Sequence, residues 1–125
     1  MSEGSETSLG ETFAVALGEK DFEGLLGVLD PEVDFRGLTP RRSWEANRAR
    51  AVVDDVFRRW FEPSDEIDEI ISVETDQFAD CRRVAYRFRG RSDGSPFVVE
   101  QQAYYRERGR TIVWLRILCS GFRPA

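Results

Sequence analysis

The last third of the chain alternates in polarity over two segments joined by a short turn, and this pattern constrains the fold most. The segments Phe97 to Arg106 and Thr111 to Cys119 are rich in β-branched and aromatic residues. Glu107-Arg108-Gly109-Arg110 between them has the composition of a hairpin turn. Successive side chains of a strand point to opposite faces, so one face can carry polar groups into an apolar interior. The pattern predicts an antiparallel hairpin with one buried face.

Two more strands are predicted ahead of this hairpin. They cover Ile67 to Phe78 and Arg82 to Arg89, and Ser92-Asp93-Gly94-Ser95 has the composition of the next turn. Together with the C-terminal hairpin, these segments predict four consecutive antiparallel strands.

The N-terminal half is typical of helices instead. Apolar residues at helical spacing predict a first helix over Glu6 to Leu17, which Gly18 is placed to stop. Asp21 is predicted to cap a short second helix that Asp30-Pro31 ends.

A brief strand, Val33 to Leu38, and a long third helix are expected next. Thr39-Pro40 predicts the start of this helix, with Ser43 as a competing start, and the helix is expected to reach Phe61. Glu62-Pro63-Ser64-Asp65 should break it.

Length and composition limit the class of protein. The chain has 125 residues and 41% hydrophobic composition, which is enough for one packed core. One domain is therefore predicted over residues 9–125, after a flexible polar tail over residues 1–8. A net charge of -5 argues against a nucleic-acid partner. The sequence has no apolar run of about 18 residues, so no membrane partner and a cytoplasmic location are expected.

Histidine is absent and the chain has two cysteines, Cys81 and Cys119. Without histidine, neither a histidine-ligated zinc site nor a Ser-His-Asp triad can form, and no metal or other cofactor is expected. Two cysteines in a chain of this type are more often buried thiols than a disulfide. Cys119 is expected to be an unreactive wall thiol, because it has no histidine or nearby lysine to stabilise a thiolate.

The order of these elements, together with one motif, resembles a known family. The motif is Val98-Val99-Glu100-Gln101-Gln102-Ala103-Tyr104-Tyr105, followed by a glycine-containing turn and Ile112. It resembles the nuclear transport factor 2-like superfamily, in particular the SnoaL-like branch of polyketide cyclases and ketosteroid isomerases, over Leu9 to Phe122. The resemblance implies an α+β, cystatin-like cone: three N-terminal helices packed on a strongly bent, mostly antiparallel sheet with an internal cavity.

In such a cone the concave face of the sheet forms the cavity, and strand alternation assigns side chains to it. Glu100, Gln102 and Tyr104 are expected to point inward, and Gln101 and Ala103 outward. The resemblance implies a small hydrophobic ligand, planar or polycyclic. The predicted ligand-binding residues are Phe13, Phe35, Trp44, Trp60, Tyr86, Phe88, Gln102, Leu115, Ile117 and Cys119. The alternative for such aromatic residues, Trp60 above all, is ordinary core packing.

The catalytic residues of ketosteroid isomerases do not carry over. The positions that the resemblance assigns to two aspartates and an oxyanion-binding tyrosine hold Phe35, Gln102 and Phe13. Enolisation needs a base and oxyanion donors, so this mechanism is not expected. Glu100 is the remaining candidate acid or base, with Tyr104 orienting a substrate carbonyl or hydroxyl, in a cyclase, isomerase or dehydratase type of reaction without a cofactor.

Two functions therefore remain open for the region around Glu100. A buried carboxylate is costly unless it is paired, so Glu100 is alternatively a structural partner of Arg36, Arg42 or Arg48. The chain would then be a non-catalytic ligand-binding or dimerisation module.

The convex face is predicted to form a homodimer. Aromatic and arginine side chains together are typical of protein interfaces. The interface residues expected on this face are Arg87, Tyr105, Trp114 and Arg116.

Overall fold

Residues 8–125 are described by a computed structural model. They form three helices and seven strands. The strands are β1 (Leu29–Thr39), β2 (Arg42–Ala46), β3 (Asp65–Phe78), β4 (Cys81–Ser92), β5 (Ser95–Arg108), β6 (Thr111–Cys119) and β7 (Arg123–Pro124).

The strands form one strongly bent sheet in the order β2-β1-β6-β5-β4-β3, and β7 pairs with β5. Neighbouring strands are antiparallel except β1 and β6, which are parallel. The predicted α+β cone is confirmed: the helices cover one side of the sheet, called here the inner side, and the opposite side is called the outer face.

The first two helices are α1 (Leu9–Gly18) and α2 (Phe22–Val28). Ser8 caps α1: its hydroxyl accepts from the N–H of Glu11, and the Glu11 carboxylate accepts from the N–H of Ser8, each at 3.1 Å. Ser8 therefore belongs to the helix cap rather than to the predicted tail, of which residues 1–7 lie outside the described residues. The predicted cap of α2 is confirmed, since the Asp21 carboxylate accepts from Gly24 at 2.9 Å.

The predicted long third helix is wrong in its first part. Arg42–Ala46 is strand β2, which pairs antiparallel with β1 and brings Trp44 opposite Gly37. Pro40 and Arg41 form the turn between these strands, and Arg41 has a positive φ of 69°. Cross-strand pairing has overridden a local preference for helix, as tertiary context commonly does.

The remaining helix, α3, is continuous over residues 49–60 but has an unusual middle. It comprises Ala49–Ala51, a π-helical stretch Val52–Phe57 and a last turn Arg58–Trp60. Val52, Val53 and Phe57 are fully buried against the inner side of the sheet. This helix places Phe57 and Trp60 in the centre of the cone.

The four predicted C-terminal strands are confirmed, each within two or three residues of its predicted ends. The tight turns that join them use left-handed backbone at Ala79, Asp93, Gly94 and Gly109. β1 is longer than predicted because it begins at Leu29 and runs through Pro31.

Candidate functional site

The inner side of β4 and β6 carries the side chains predicted for it. Tyr86 and Phe88 on β4 are at most 3% exposed, and Leu115 and Ile117 on β6 at most 1%. Cys119 is half-buried at the end of β6. Both cysteines are free thiols.

On β5 the predicted orientation is wrong. Gln101, Ala103 and Tyr105 are buried, whereas Glu100 and Gln102 are exposed. Residues opposite each other in an antiparallel pair share a face, and Tyr86 lies opposite Gln101 while Arg87 lies opposite Glu100. The inward orientation of Tyr86 therefore requires Gln101, not Glu100, to point inward.

Glu100 lies on the outer face and forms an ion pair. Its side chain is 51% exposed, and the carboxylate accepts from the Arg87 guanidinium at 2.7 Å. The structural pairing proposed for this glutamate is present, but its partner is Arg87 rather than Arg36, Arg42 or Arg48. Glu100 is therefore not a carboxyl group in an apolar cavity.

Gln102 and Tyr104 share the outer face with Glu100. The Gln102 amide oxygen accepts from Arg83 at 3.2 Å. Tyr104 is half-buried and lines an outer hollow next to Arg116. Neither side chain enters the inner side of the cone. The predicted catalytic pair, Glu100 and Tyr104, and Gln102 are therefore separated by the sheet from the predicted ligand-binding residues on its inner side.

Aromatic side chains fill the inner side of the cone. Phe57 is central, with ring centroids 5.8 Å from Phe13, 5.7 Å from Phe35 and 5.4 Å from Trp60. Trp44 packs edge-on against Trp60 at 6.0 Å. Phe13 and Phe35 are at most 1% exposed, so a ligand of polycyclic size requires these side chains to move.

A short row of polar side chains crosses the inner side of β4, β5 and β6. The Tyr86 hydroxyl donates to the Gln101 amide oxygen at 2.6 Å, and Gln101 lies opposite Cys119 on β6. Burial raises the pKa of Tyr86 well above the usual range of tyrosine, and Cys119 raises it further. Tyr86 therefore stays protonated at physiological pH and keeps its hydrogen bond to Gln101.

Two buried donors, one of them in this row, have no partner within residues 8–125. They are the indole N–H of Trp60 and the amide NH₂ of Gln101. Trp60 is 9% exposed and Gln101 is 2% exposed. Buried polar groups in proteins are nearly always hydrogen-bonded, so orphan donors indicate a place for a further acceptor.

Solved structures of similar shape were found for this cone. A provisionally named isomerase from Rhodopseudomonas palustris superposes with a TM-score of 0.72 at 19% identity, over 94% of this chain and 92% of that one. An NTF2-like protein from Burkholderia thailandensis gives a TM-score of 0.62 at 19% identity, over 92% of each chain. This chain has the nuclear transport factor 2-like fold.

A hypothetical protein from Catenulispora acidiphila with a ketosteroid isomerase-like fold, solved in complex with trimethylamine, has the same cone. Its TM-score is 0.68 at 15% identity, over 91% of this chain and 88% of that one. No protein-family model matches the sequence, and a search of curated proteins found no match. At these identities the similarity establishes the fold alone.

The outer face of the nuclear transport factor 2-like cone carries three of the four predicted interface residues: Arg87, Trp114 and Arg116. The guanidinium carbons of Arg106 and Arg116 lie over the Trp114 ring, 4.6 and 4.3 Å from its centroid. The prediction for Tyr105 is wrong. Its side chain is 1% exposed on the inner side, where its hydroxyl accepts from the N–H of Gly10 at 3.0 Å.

Two neighbouring hollows of about 360 and 460 Å³ on the outer face share Leu118. Leu118 and Leu38 lie opposite each other on adjacent strands and are 50% and 52% exposed. Arginines of two ion pairs line these hollows: Arg87, paired with Glu100 at 2.7 Å, and Arg116, paired with Asp34 at 3.2 Å.

Residues 8–125 contain no cluster of three or more histidine, cysteine or acidic side chains that could hold a metal ion. No helix in this part of the chain is long and apolar enough to cross a bilayer.

Proposed function

We propose that this cone is a small-molecule-binding domain in which the amide of Gln101 and the indole of Trp60 donate hydrogen bonds to one oxygen-bearing apolar ligand. The orphan donors carry this proposal. Each is buried in an aromatic interior, where an unmade hydrogen bond costs about 1–3 kcal/mol. A ligand acceptor would recover that free energy.

The aromatic surroundings define the class of ligand. The rings of Tyr86 and Phe88 stack at 5.2 Å, and those of Trp44 and Trp60 meet edge-on. Flat rings of this kind favour a planar partner. Because the inner side chains are closely packed, we propose a ligand of one or two rings with a single carbonyl or hydroxyl oxygen.

The proposal does not use Glu100 or Tyr104 as catalytic residues. Glu100 is paired with Arg87 on the outer face, and a general acid or base must reach its substrate within hydrogen-bond distance. Tyr86 is on the correct side, but its raised pKa makes it a poor base at neutral pH. Binding without proton transfer by Glu100 is therefore the function supported best, and it requires no cofactor.

Binding is tested by thermal shift and titration with planar ketones and phenols, 1-naphthol among them. The double variant Tyr86→Phe/Gln101→Leu replaces both members of the buried hydrogen bond by apolar groups, so the fold should be little affected. Loss of one ligand hydrogen bond should weaken binding by about tenfold. The control Glu100→Gln alters only an exposed ion pair, which contributes at most about 1 kcal/mol to stability, and should bind as wild type does.

Two results would contradict this assignment. One is equal affinity of wild type and the double variant for every compound that binds. The other is weaker binding by Glu100→Gln alone, which would place the ligand-binding site on the outer face.

A second proposed property, a homodimer through the outer face, rests on the exposed apolar centre. Leu38 and Leu118 are too exposed for core residues, and arginine, tyrosine and tryptophan side chains surround them. Such a face would be buried by a second copy of the same face.

Light scattering after size exclusion tests the dimer. Wild type should give twice the chain mass of 14.4 kDa, and Leu118→Glu should give the monomer mass, because a charge would be buried at the centre of the interface. Val15→Glu is the matched control, since Val15 is 37% exposed on helix α1, which covers the inner side of the sheet and not the outer face. A monomeric wild type at high concentration would refute the dimer.

We place the protein in the cytoplasm within this proposal. Cys81 and Cys119 are both free, and free thiols persist in reducing compartments. Measuring their redox state in whole cells with a thiol-labelling reagent tests this location.

A further inference from the structure

The chain crosses one end of the cone after β6. Residues 120–124, called here the strap, leave β6, turn at Gly121 and rejoin the sheet as β7 beside β5. Gly121 has a φ of +77°, and a Cβ atom added to it would lie 2.8 Å from Cγ of Pro40. The strap is thus held against the β1–β2 turn on one side and against β5 on the other.

Phe122 forms the main side-chain contact of the strap. Its ring stacks on Phe97 at 3.9 Å with an interplanar angle of 3°, and its centroid is 5.9 Å from that of Phe61. Even so, Phe122 remains 39% exposed. It therefore covers the apolar interior from the solvent side rather than forming part of the core.

Each orphan donor belongs to a residue that is adjacent in sequence to one that the strap contacts. Trp60 precedes Phe61, which packs against Phe122. Gln101 follows Glu100, whose backbone oxygen accepts from the N–H of Ser120 at 2.9 Å. At the base of the strap, the N–H of Gly121 donates to Sγ of Cys119 at 3.3 Å, and Cys119 lies opposite Gln101. The strap thus closes the end of the cone where the polar row lies.

The strap is attached by few bonds. β7 pairs with β5 at only two positions, Phe97 with Pro124 and Val98 with Arg123, and both β7 residues are exposed. Segments with few buried contacts open locally at a lower free energy than the whole domain unfolds. Among the other walls of the cone, the edge strand β2 has five residues paired with β1, and the remaining strands have nine or more.

We propose that the strap is the gate through which a ligand reaches Gln101 and Trp60, opening when the Ser120–Glu100 hydrogen bond and the pairing of β7 with β5 break while the rest of the cone stays folded. This inference rests on the proposed binding function. A gate that is closed in both the free and the bound protein controls the rates of binding and release together and leaves the affinity unchanged.

Gly121→Ala tests the gate, with Gly109→Ala as its matched control. Both glycines have positive φ, +77° and +66°, so both variants incur the same kind of backbone strain. Only the alanine at Gly121 also meets Pro40; at Gly109 no atom lies within 4 Å of the added Cβ. Gly121→Ala should therefore loosen the strap, and Gly109→Ala should not.

Two measurements are made on all three proteins. Hydrogen exchange at the Ser120 amide reports strap opening without any ligand, and it should be at least about tenfold faster in Gly121→Ala only. Stopped-flow fluorescence with 1-naphthol should show both association and dissociation rates raised about tenfold in Gly121→Ala, with an affinity within about twofold of wild type.

The outcomes separate the gate from the binding site. Faster Ser120 exchange with unchanged 1-naphthol rates would overturn the gate and leave the site intact. Equal effects of Gly121→Ala and Gly109→Ala on the rates would also overturn the gate. If 1-naphthol and the other planar compounds bind none of the three proteins, the binding site is overturned and the gate with it.

Discussion

Replacing Gly90 with alanine is expected to lower the free energy of unfolding by about 3 kcal/mol. This is the upper end of the usual range for adding atoms to a closely packed region. Gly90 lies on β4, opposite Ile67 on β3 and Phe97 on β5. A Cβ atom at this position would overlap the backbone carbonyl oxygen of Glu66 and touch the Phe97 ring at 3.0 Å. A carbonyl oxygen of a paired strand cannot rotate away as a side chain can, so the β3–β4 pairing itself must shift.

Gly27→Ala is the matched control for this substitution. Gly27 lies in helix α2, and no atom is within 4 Å of the added Cβ. Alanine is a better helix former than glycine by about 1 kcal/mol, so this variant should be more stable than wild type. Urea denaturation of both variants makes the comparison. Similar free energies of unfolding for the two variants would show that β3 shifts at Glu66 with no loss of stability.

Phe57→Ala is expected to destabilise the protein by about 3–5 kcal/mol, the usual range for truncation of a buried phenylalanine. Phe57 is fully buried in α3, and its ring contacts those of Phe13, Phe35 and Trp60. Removing it leaves a cavity among rings that belong to both a helix and the sheet, so no single element can move to fill the space.

Phe78→Ala is the control, because it makes the same truncation at a side chain that is 69% exposed. It should change the free energy of unfolding by no more than about 0.5 kcal/mol. Thermal unfolding of wild type and the two variants by circular dichroism measures the difference. If both variants unfold at the wild-type temperature, the aromatic cluster is not what holds α3 to the sheet.

The cap of α2 and the C-terminal strands could be predicted from the sequence because their signals are local. Asp21 caps α2 as expected, and alternation places Tyr86 and Phe88 on the inner side of β4. Strand β2 could not be predicted in the same way. Its residues are compatible with helix, and they form a strand because β1 pairs with them.

The orientation of β5 shows why the candidate site was missed. Its motif places apolar and polar residues in both alternating sets, so the pattern alone permits either face to be buried. Gln101 was accordingly expected outside and Glu100 inside, whereas the structure has the reverse. One signal was available: in the set Phe97, Val99, Gln101, Ala103 and Tyr105 only Gln101 is strongly polar.

The sequence by itself determined the cap of α2 and the strands that form the C-terminal part of the sheet, because capping, turn chemistry and periodicity act over a few neighbouring residues. The α+β cone is what the resemblance of the strand motif to a known family implies. Only the tertiary structure decided that Trp44 lies on a strand, that Arg87 pairs with Glu100 on the outer face, and that Gln101 is buried beside Tyr86. These features depend on which strands become neighbours and in what register. A shift of one residue in that pairing moves every side chain of a strand to the opposite face.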